Sequence, residues 1–326
     1  MNIGLWVQGT RPRTLPASIA PVVVGAAVAW RRIGEFDICP LVYPQPESCR
    51  VGRALQTMLE GRFWPVAVLC ALVALFLQIA VNFANDYSDG VRGTDDRRGD
   101  AETTSGKPRR MVASGLVPAR HVLIAAGLAA ALACIAGLAA VLVSHAWWLL
   151  AVGAASLVAG WCYTGGRHPY GYIGLGELGV FLFFGLVATL GTEYALAGTV
   201  DTTGVLAACC VGLNAVMILM VNNLRDIDDD RIHGKRTLAV RLGERGARAA
   251  FVCCLVVDWA GSVMLMPLLW FPAGLVPWLA VAAVQTCMIR AVMRRDFGGA
   301  LGLAGAQTSA FAVCVAVAMA MDAVVS

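Results

Sequence analysis

The run Asn82-Phe83-Ala84-Asn85-Asp86-Tyr87-Ser88-Asp89 places two amides and two carboxylates at the end of an apolar stretch that begins near Pro65. At helical spacing Asn82 and Asp86 lie four residues apart and Asp86 and Asp89 three, so these side chains share roughly one face. A second run, Asn222-Asn223-Leu224-Arg225-Asp226-Ile227-Asp228-Asp229-Asp230, closes another apolar stretch with the same four-residue step from Asn222 to Asp226 to Asp230. Carboxylates at the edge of hydrocarbon are costly unless something binds them. Two such clusters facing one another form a basin that calls for cations. Mg2+ suits it, because this ion takes oxygen ligands and binds through one or two carboxylates together with phosphate oxygens and water. A ligand that is anionic, held through metal and attached to something oily describes a diphosphate on a polyprenyl chain. Ionising its allylic C–O bond puts negative charge on the departing diphosphate, which metals and nearby Arg and Lys stabilise.

These residues need a membrane scaffold to position them. Of 326 residues, 59% are hydrophobic and 14% charged, and the mean hydropathy is +0.71, which excludes a soluble globular chain and points to a polytopic membrane protein. The 35 glycines suit close helix packing, and a net charge of +4 carries no nucleic-acid signal. Apolar segments run over about Leu15 to Ile33, Pro65 to Asp86, Val122 to Val143, Ala146 to Tyr163, Ile173 to Ala197, Val205 to Asn223, Ala247 to Leu269, Leu275 to Val292 and Leu301 to Val325. The expected fold class is therefore all-α: one membrane-embedded domain over residues 1–326, a bundle of nine transmembrane helices. With the N-terminus inside and the C-terminus outside, twenty of the 25 Lys and Arg fall on the cytoplasmic side. The exceptions, Arg31, Arg32, Arg50, Arg53 and Arg62, share the first loop, a polar segment of some thirty residues. That orientation puts both Asp clusters on the cytoplasmic face. Basic residues followed by an apolar run and Ala27-Val28-Ala29 also fit a signal peptide, but Pro16 and Pro21 favour a retained helix.

Most of the 11 cysteines lie within apolar runs, with no CxxC, and read as small core residues. Cys39 and Cys49 share the first polar loop and can pair if that loop is extracytoplasmic. Lys107, Arg109, Arg110, Lys235 and Arg236 read either as diphosphate ligands or as topology signals touching lipid headgroups, with Lys107, Arg110 and Lys235 favoured for function. Arg11 and Arg13 face the same two readings. Tyr163 reads either as interfacial aromatic or as a ring whose face stabilises an allylic cation. Asp228 and Asp229 point off the Asp226–Asp230 face, and Asp258, alone in the middle of a span, reads as a helix-packing hydrogen bond. His121, His145, His168 and His233 form neither a metal spacing nor a triad.

Four stretches carry a resemblance: Arg11-Pro12-Arg13-Thr14-Leu15-Pro16; Asn85-Asp86-Tyr87-Ser88-Asp89-Gly90-Val91-Arg92-Gly93-Thr94-Asp95; Tyr163 through Tyr172 with Gly174, Gly176 and Glu177; and Asn222 through Gly243. In this order, each at the end of a helix, they make the chain resemble the UbiA superfamily of intramembrane aromatic prenyltransferases, and within it the 1,4-dihydroxy-2-naphthoate polyprenyltransferases. The resemblance implies that Asn82, Asp86 and Asp89 with Asp226 and Asp230 hold Mg2+ and diphosphate. Asp86, Asp89, Asp226 and Asp230 are thus the expected catalytic and metal residues. Asn82, Asn85, Lys107, Arg110, Tyr163, Asn222, Lys235 and Arg11 are the expected substrate-binding set. Where the wider superfamily has a further Asp four residues after the second, this chain has Gly93, with Asp95 two residues on. The implied partners are polyprenyl diphosphate, 1,4-dihydroxy-2-naphthoate and the lipid bilayer. The implied reaction releases diphosphate and CO2, giving demethylmenaquinone at the cytoplasmic side of a bacterial-type inner membrane. Within the superfamily, 4-hydroxybenzoate and homogentisate are rival acceptors. From other classes, an ion-coupled transporter would place its acids near the midplane, and a phosphatidyl-group transferase would gather them in one stretch.

Overall fold

Every apolar run folds as a helix, as segments in hydrocarbon must when no water is present to take their backbone N–H and C=O groups. The computed structural model describes residues 3–37, 47–93, 110–265 and 275–325, and among these there is no strand. In chain order the helices are α1 (Ile3–Gly9), α2 (Pro16–Gly34), α3 (Glu47–Val91), α4 (Ala119–Ser144) and α5 (Leu149–Thr164). There follow α6 (Gly176–Ala197, with a π-helical turn over Phe181–Val187), α7 (Thr202–Arg225), α8 (Ile227–Ile232), α9 (Leu238–Leu265), α10 (Leu275–Met293) and α11 (Phe297–Val325).

Among the described residues seven helices are long and apolar enough to cross a membrane: α2, α3, α4, α6, α7, α9 and α11. The apolar helices α5 and α10 stand where the other two spans were expected; α5 is the shorter, with 16 residues, and α10 has 19. At 1.5 Å per residue α5 is about 24 Å long, less than the roughly 30 Å of a hydrocarbon core.

The first loop requires a correction. Chain expected to be polar loop is helical from Glu47, and α3 runs 45 residues without interruption, about 68 Å. Its first four turns are polar on one side, with Arg50, Arg53, Gln56 and Glu60, yet bury Leu59 and Phe63 against α2 and α6. Phe63 meets Trp30 edge-on at 4.9 Å between ring centres. A helix this polar on one face gives no hydropathy signal. Pro65 sits inside it rather than at its start. Cys49, buried on this helix, is disulfide-bonded; its expected partner Cys39 lies outside the described residues.

The helices close into a ring. α3 packs along α4, α4 on α5, α6 on α7, α7 on α9 and α10 on α11, and α11 returns to α2, which also touches α3, α6 and α7. Small residues permit the closest approaches. A Cβ on Gly185 of α6 would stand 2.6 Å from the Cα of Gly212 on α7, and one on Gly25 of α2 would stand 2.3 Å from the carbonyl oxygen of Thr189; such contacts hold helices together where burial from water supplies no force. The outer surface bears Trp64, Leu128, Ile135, Val158, Val256 and Val317, all exposed, as a lipid-facing surface requires.

Candidate active site

The two Asp-rich helix ends meet at one end of a single large cavity of about 1330 Å3. Asp86 and Asp89 reach it from α3, Asp226 from the end of α7, and Asp230 from α8; all four are buried. Lys235, Arg110, Arg225, Asn85, Asn222 and Tyr163 line the same end. From there the cavity runs between the helices past Val73, Leu77, Leu157 and Phe184 to Cys70, Leu149, Gly191 and Ala195. Cys70 and Asp89 stand nineteen residues apart on one helix, so the cavity extends about 28 Å, close to the depth of a bilayer. Its walls are polar at one end and apolar along the rest.

Local folding sets each acid. The carboxylate of Asp86 accepts the backbone N–H groups of Met111 (3.1 Å) and Val112 (3.3 Å), which brings the returning chain onto α3. Gly90 makes room for that approach, since a Cβ there would come within 2.5 Å of Val112 Cγ1. Met111 is wedged beside Gly9 and Phe83, and Trp6 of α1 meets Phe83 edge-on at 5.8 Å, so the N-terminal helix is docked on the Asp-bearing helix. Asp89 accepts the Tyr172 hydroxyl at 2.5 Å and pairs with Lys235 Nζ at 3.2 Å. The Tyr172 ring in turn lies under Lys235 (4.9 Å) and Arg92 (5.3 Å). The backbone N–H of Arg236 donates to the Tyr172 carbonyl at 2.8 Å, tying two connecting segments together over Asp89.

On α7, Arg225 grips Asp226 with both Nε and Nη2 at 2.9 Å. Adjacent residues do not face each other within a helix, but Asp226 ends α7 at φ −100° and ψ 9°, and this break turns the two side chains together. Asp230 is buried while the Asp228 side chain is 87% exposed, in line with their expected faces. Asn85 accepts from Thr164 Oγ1 at 2.7 Å, Asn222 donates back to the carbonyl of Ile218, and Asn82 donates to the carbonyl of Thr10 at 2.8 Å and accepts from Gln78. Tyr163 lines the cavity and meets Tyr170 edge-on at 5.5 Å. Burial pushes the Tyr170 hydroxyl up to about 12, so it keeps its proton at neutral pH.

Of the residues expected at the site, Arg11, Asn82, Asn85, Asp86, Asp89, Arg110, Tyr163, Asn222, Asp226, Asp230 and Lys235 all line this cavity, whereas Lys107, with Arg109 and Asp95, lies outside the described residues. Three participants were not anticipated. Tyr172 and Arg225 stood within the quoted motifs without a spacing to mark them, and Glu177 accepts from Asn223 at 2.8 Å beside the cavity. Asp258 makes the helix-packing hydrogen bonds expected of it, with Asn214, Gln285 and Gln307.

Among the described residues no three His, Cys, Asp or Glu side chains converge closely enough to cage a metal by themselves. The donor set nevertheless fits Mg2+. Carboxylates are the hard oxygen ligands this ion takes, and it draws its remaining ligands from water and substrate phosphate rather than from an all-protein cage.

Comparison with known proteins gives a consistent answer. The profile of the UbiA prenyltransferase family matches residues 54–300. The 1,4-dihydroxy-2-naphthoate octaprenyltransferase of Mycobacterium tuberculosis is 44% identical over 83% of this chain and 81% of its own. The enzyme of the same name from Mycobacterium leprae is 40% identical over 91% and 87%. Among solved structures, a UbiA homolog from Archaeoglobus fulgidus bound to GPP and Mg2+ superposes with a TM-score of 0.61 at 13% identity, covering 96% of this chain and 99% of that one.

Proposed function

Since this chain belongs to the UbiA prenyltransferase family, we propose that it transfers a polyprenyl group from polyprenyl diphosphate to 1,4-dihydroxy-2-naphthoate, releasing diphosphate and CO2 and giving demethylmenaquinol, the two-electron-reduced form of demethylmenaquinone. The observation that carries the reading is the single cavity with four buried carboxylates and Lys235 at one end and an apolar channel behind them. A diphosphate with a long hydrocarbon tail matches both halves at once. The naphthoate acceptor follows from the relatives, which bear that activity in their names.

In this reading Asp86, Asp89, Asp226 and Asp230 would hold Mg2+. Bound there, the metal would neutralise the diphosphate and stabilise the charge that grows on it as the allylic bond breaks. Lys235, now paired with Asp89, and Arg225, now paired with Asp226, are cations close enough to exchange those partners for phosphate oxygens. Asn85 and Asn222 supply amide groups at the same end. The apolar wall takes the tail and excludes the water that would quench an allylic cation. Tyr163 presents its ring to the cavity where that cation would form. The electron-rich ring carbon that bears the carboxylate attacks, and loss of CO2 restores aromaticity. The chain sits in a bacterial-type inner membrane with nine spans, α5 and α10 included, the N-terminus and the Asp-lined end facing the cytoplasm and the C-terminus outside.

The test is prenyl transfer by the detergent-purified protein, offered 1,4-dihydroxy-2-naphthoate, 4-hydroxybenzoate and homogentisate separately with a polyprenyl diphosphate, with and without EDTA. Product from the naphthoate alone, abolished by EDTA, is the expected result. Product from either of the other acceptors instead keeps the family chemistry and overturns the acceptor.

A further inference from the structure

The N-terminal turn delivers to the cavity a cation, Arg11, one of whose terminal nitrogens has no hydrogen-bond partner. Arg11 lies at φ 53° and ψ 67°, a left-handed conformation that a non-glycine residue keeps only where its surroundings enforce it. They do so here. The N–H of Arg11 donates to the carbonyl of Gln8 (3.0 Å), its own carbonyl accepts from the N–H and hydroxyl of Thr14 (2.9 Å each), and the carbonyl before it, that of Thr10, accepts from Asn82 Nδ2 (2.8 Å). Asn82 Oδ1 is occupied as well, by Gln78 Nε2 at 3.1 Å. Both ends of the Asn82 amide are therefore committed to the protein, and what they secure is the Thr10–Arg11 turn.

The guanidinium thus held lines the cavity, and its Nη2 is fully shielded with no hydrogen-bond partner. A buried, unsatisfied charged donor is costly, so such a group, at a strained position in a cavity, marks a place for an anion. Its depth says which anion. Asn82 stands one helical turn further into the bundle than Asp86 and nearly two further than Asp89. The turn it pins enters where the carboxylate-lined end gives way to the apolar channel. With a diphosphate among the four acids, Lys235 and Arg225, its allylic carbon would stand at this level, next to Asp86. An acceptor whose reacting carbon carries a carboxylate must bring that anion to the same level, past four acidic side chains that repel it.

We propose that Arg11 is the docking group for the acceptor's carboxylate, and that Asn82 is a positioning residue that holds the Thr10–Arg11 turn for it. This rests on the naphthoate reading above. A planar guanidinium matches a carboxylate with two parallel hydrogen bonds, which a lysine ammonium does not reproduce.

The probes are 1-hydroxy-2-naphthoate, which keeps the carboxylate but lacks the second hydroxyl, and 1-naphthol, which lacks both. Their binding is measured by tryptophan fluorescence on the detergent-purified full chain, beside KM for each substrate. The wild-type protein is expected to prefer the hydroxynaphthoate by about tenfold or more. Arg11→Gln is expected to erase that preference, Arg11→Lys to restore part of it, and Asn82→Ala to weaken it in the same direction, while KM for the polyprenyl diphosphate stays within about twofold. Arg11→Gln raising KM for the diphosphate instead, or leaving the preference intact, overturns the proposal. Should that variant not purify as a single species, Arg11→Lys decides, and an unchanged preference again overturns it. A wild-type protein that prenylates only acceptors without a carboxylate overturns the naphthoate reading and this proposal together. One that prenylates the naphthoate while Arg11→Gln keeps its carboxylate preference overturns only the role of Arg11.

Discussion

Among the buried carboxylates of this bundle, Asp258 and the acids of the cavity are set apart by their partners. Asp258 of α9 is completely buried and accepts from Asn214 of α7 (3.0 Å), Gln285 of α10 (2.9 Å) and Gln307 of α11 (3.3 Å). Its neighbours are neutral amides, one from each of three other helices, and it has no place in the cavity lining. Asp89 and Asp226 instead hold Lys235 and Arg225, Asp86 holds two backbone N–H groups of a connecting segment, and all three face the cavity. An acid within a membrane is a functional suspect by default. The contrast shows what refines that default: neutral donors from packed helices, with no cavity beside them, make a joint, whereas a cavity alongside leaves the acid able to exchange its partner for a ligand.

The largest effect expected from this contrast is on catalysis at the cavity acids. Asp86→Ala and Asp226→Ala should each lower kcat/KM for prenyl transfer by about 10^3-fold, the loss typical when one preorganised charge-stabilising group is removed. The thermal midpoint of Asp226→Ala in detergent should stay close to the wild type, since that deletion relieves a crowded group of acids, whereas Asp86→Ala also strands the N–H groups of Met111 and Val112 and should lower it by a few degrees. A midpoint lowered as far as activity would move these residues to the structural side.

Next in size is Tyr172, which touches Asp89 and Lys235 together. A side chain that orients a metal ligand typically contributes 10–100-fold in metal affinity. Tyr172→Phe should therefore raise the half-saturating Mg2+ concentration by about tenfold, and should weaken Mn2+ binding seen by electron paramagnetic resonance in the presence of a diphosphate. Unchanged Mn2+ binding would make the hydroxyl a bystander. Below it comes Asp258→Leu, which strands three amides. Interhelical hydrogen bonds in membranes average about 0.6 kcal/mol, so the loss is about 2 kcal/mol, readable as a lower thermal midpoint with kcat within about threefold.

The sequence made the spans legible because hydropathy is the quantity that hydrocarbon selects. Ala119–Ser144 and Leu275–Met293 stand within a few residues of the expected segments, and both Asp runs end where a four-residue step aligned them. What it hid depends on groups brought together from outside one helix face. The polar half of α3 has too mixed a surface to read as helix. Tyr172 reaches Asp89 only because its segment is tied across to Arg236. Arg225 reaches Asp226 only because the helix ends between them. Asn82, legible as part of the Asp motif, turns inward to the Thr10 carbonyl, a contact across 72 positions that no local spacing encodes.

The smallest effect, and the sharpest on the nature of the joint, belongs to Asp258→Asn. The substitution keeps shape and one acceptor oxygen but places an NH2 group where an oxygen faced amide donors. Donor would then oppose donor, unless a neighbour turns over. Gln307 can do so at little cost, since its carbonyl oxygen is buried without a partner, and flipping that amide offers the new NH2 an acceptor while keeping the helices bridged. Asn214 cannot, because its NH2 also donates to the Cys210 carbonyl at 2.9 Å. The expected loss is therefore under about 1 kcal/mol, with activity unchanged. A loss as large as that of the leucine variant would mean that charge rather than hydrogen-bond complementarity holds α7, α9, α10 and α11 together, and Asp258 would then stand with the acids of the cavity rather than against them.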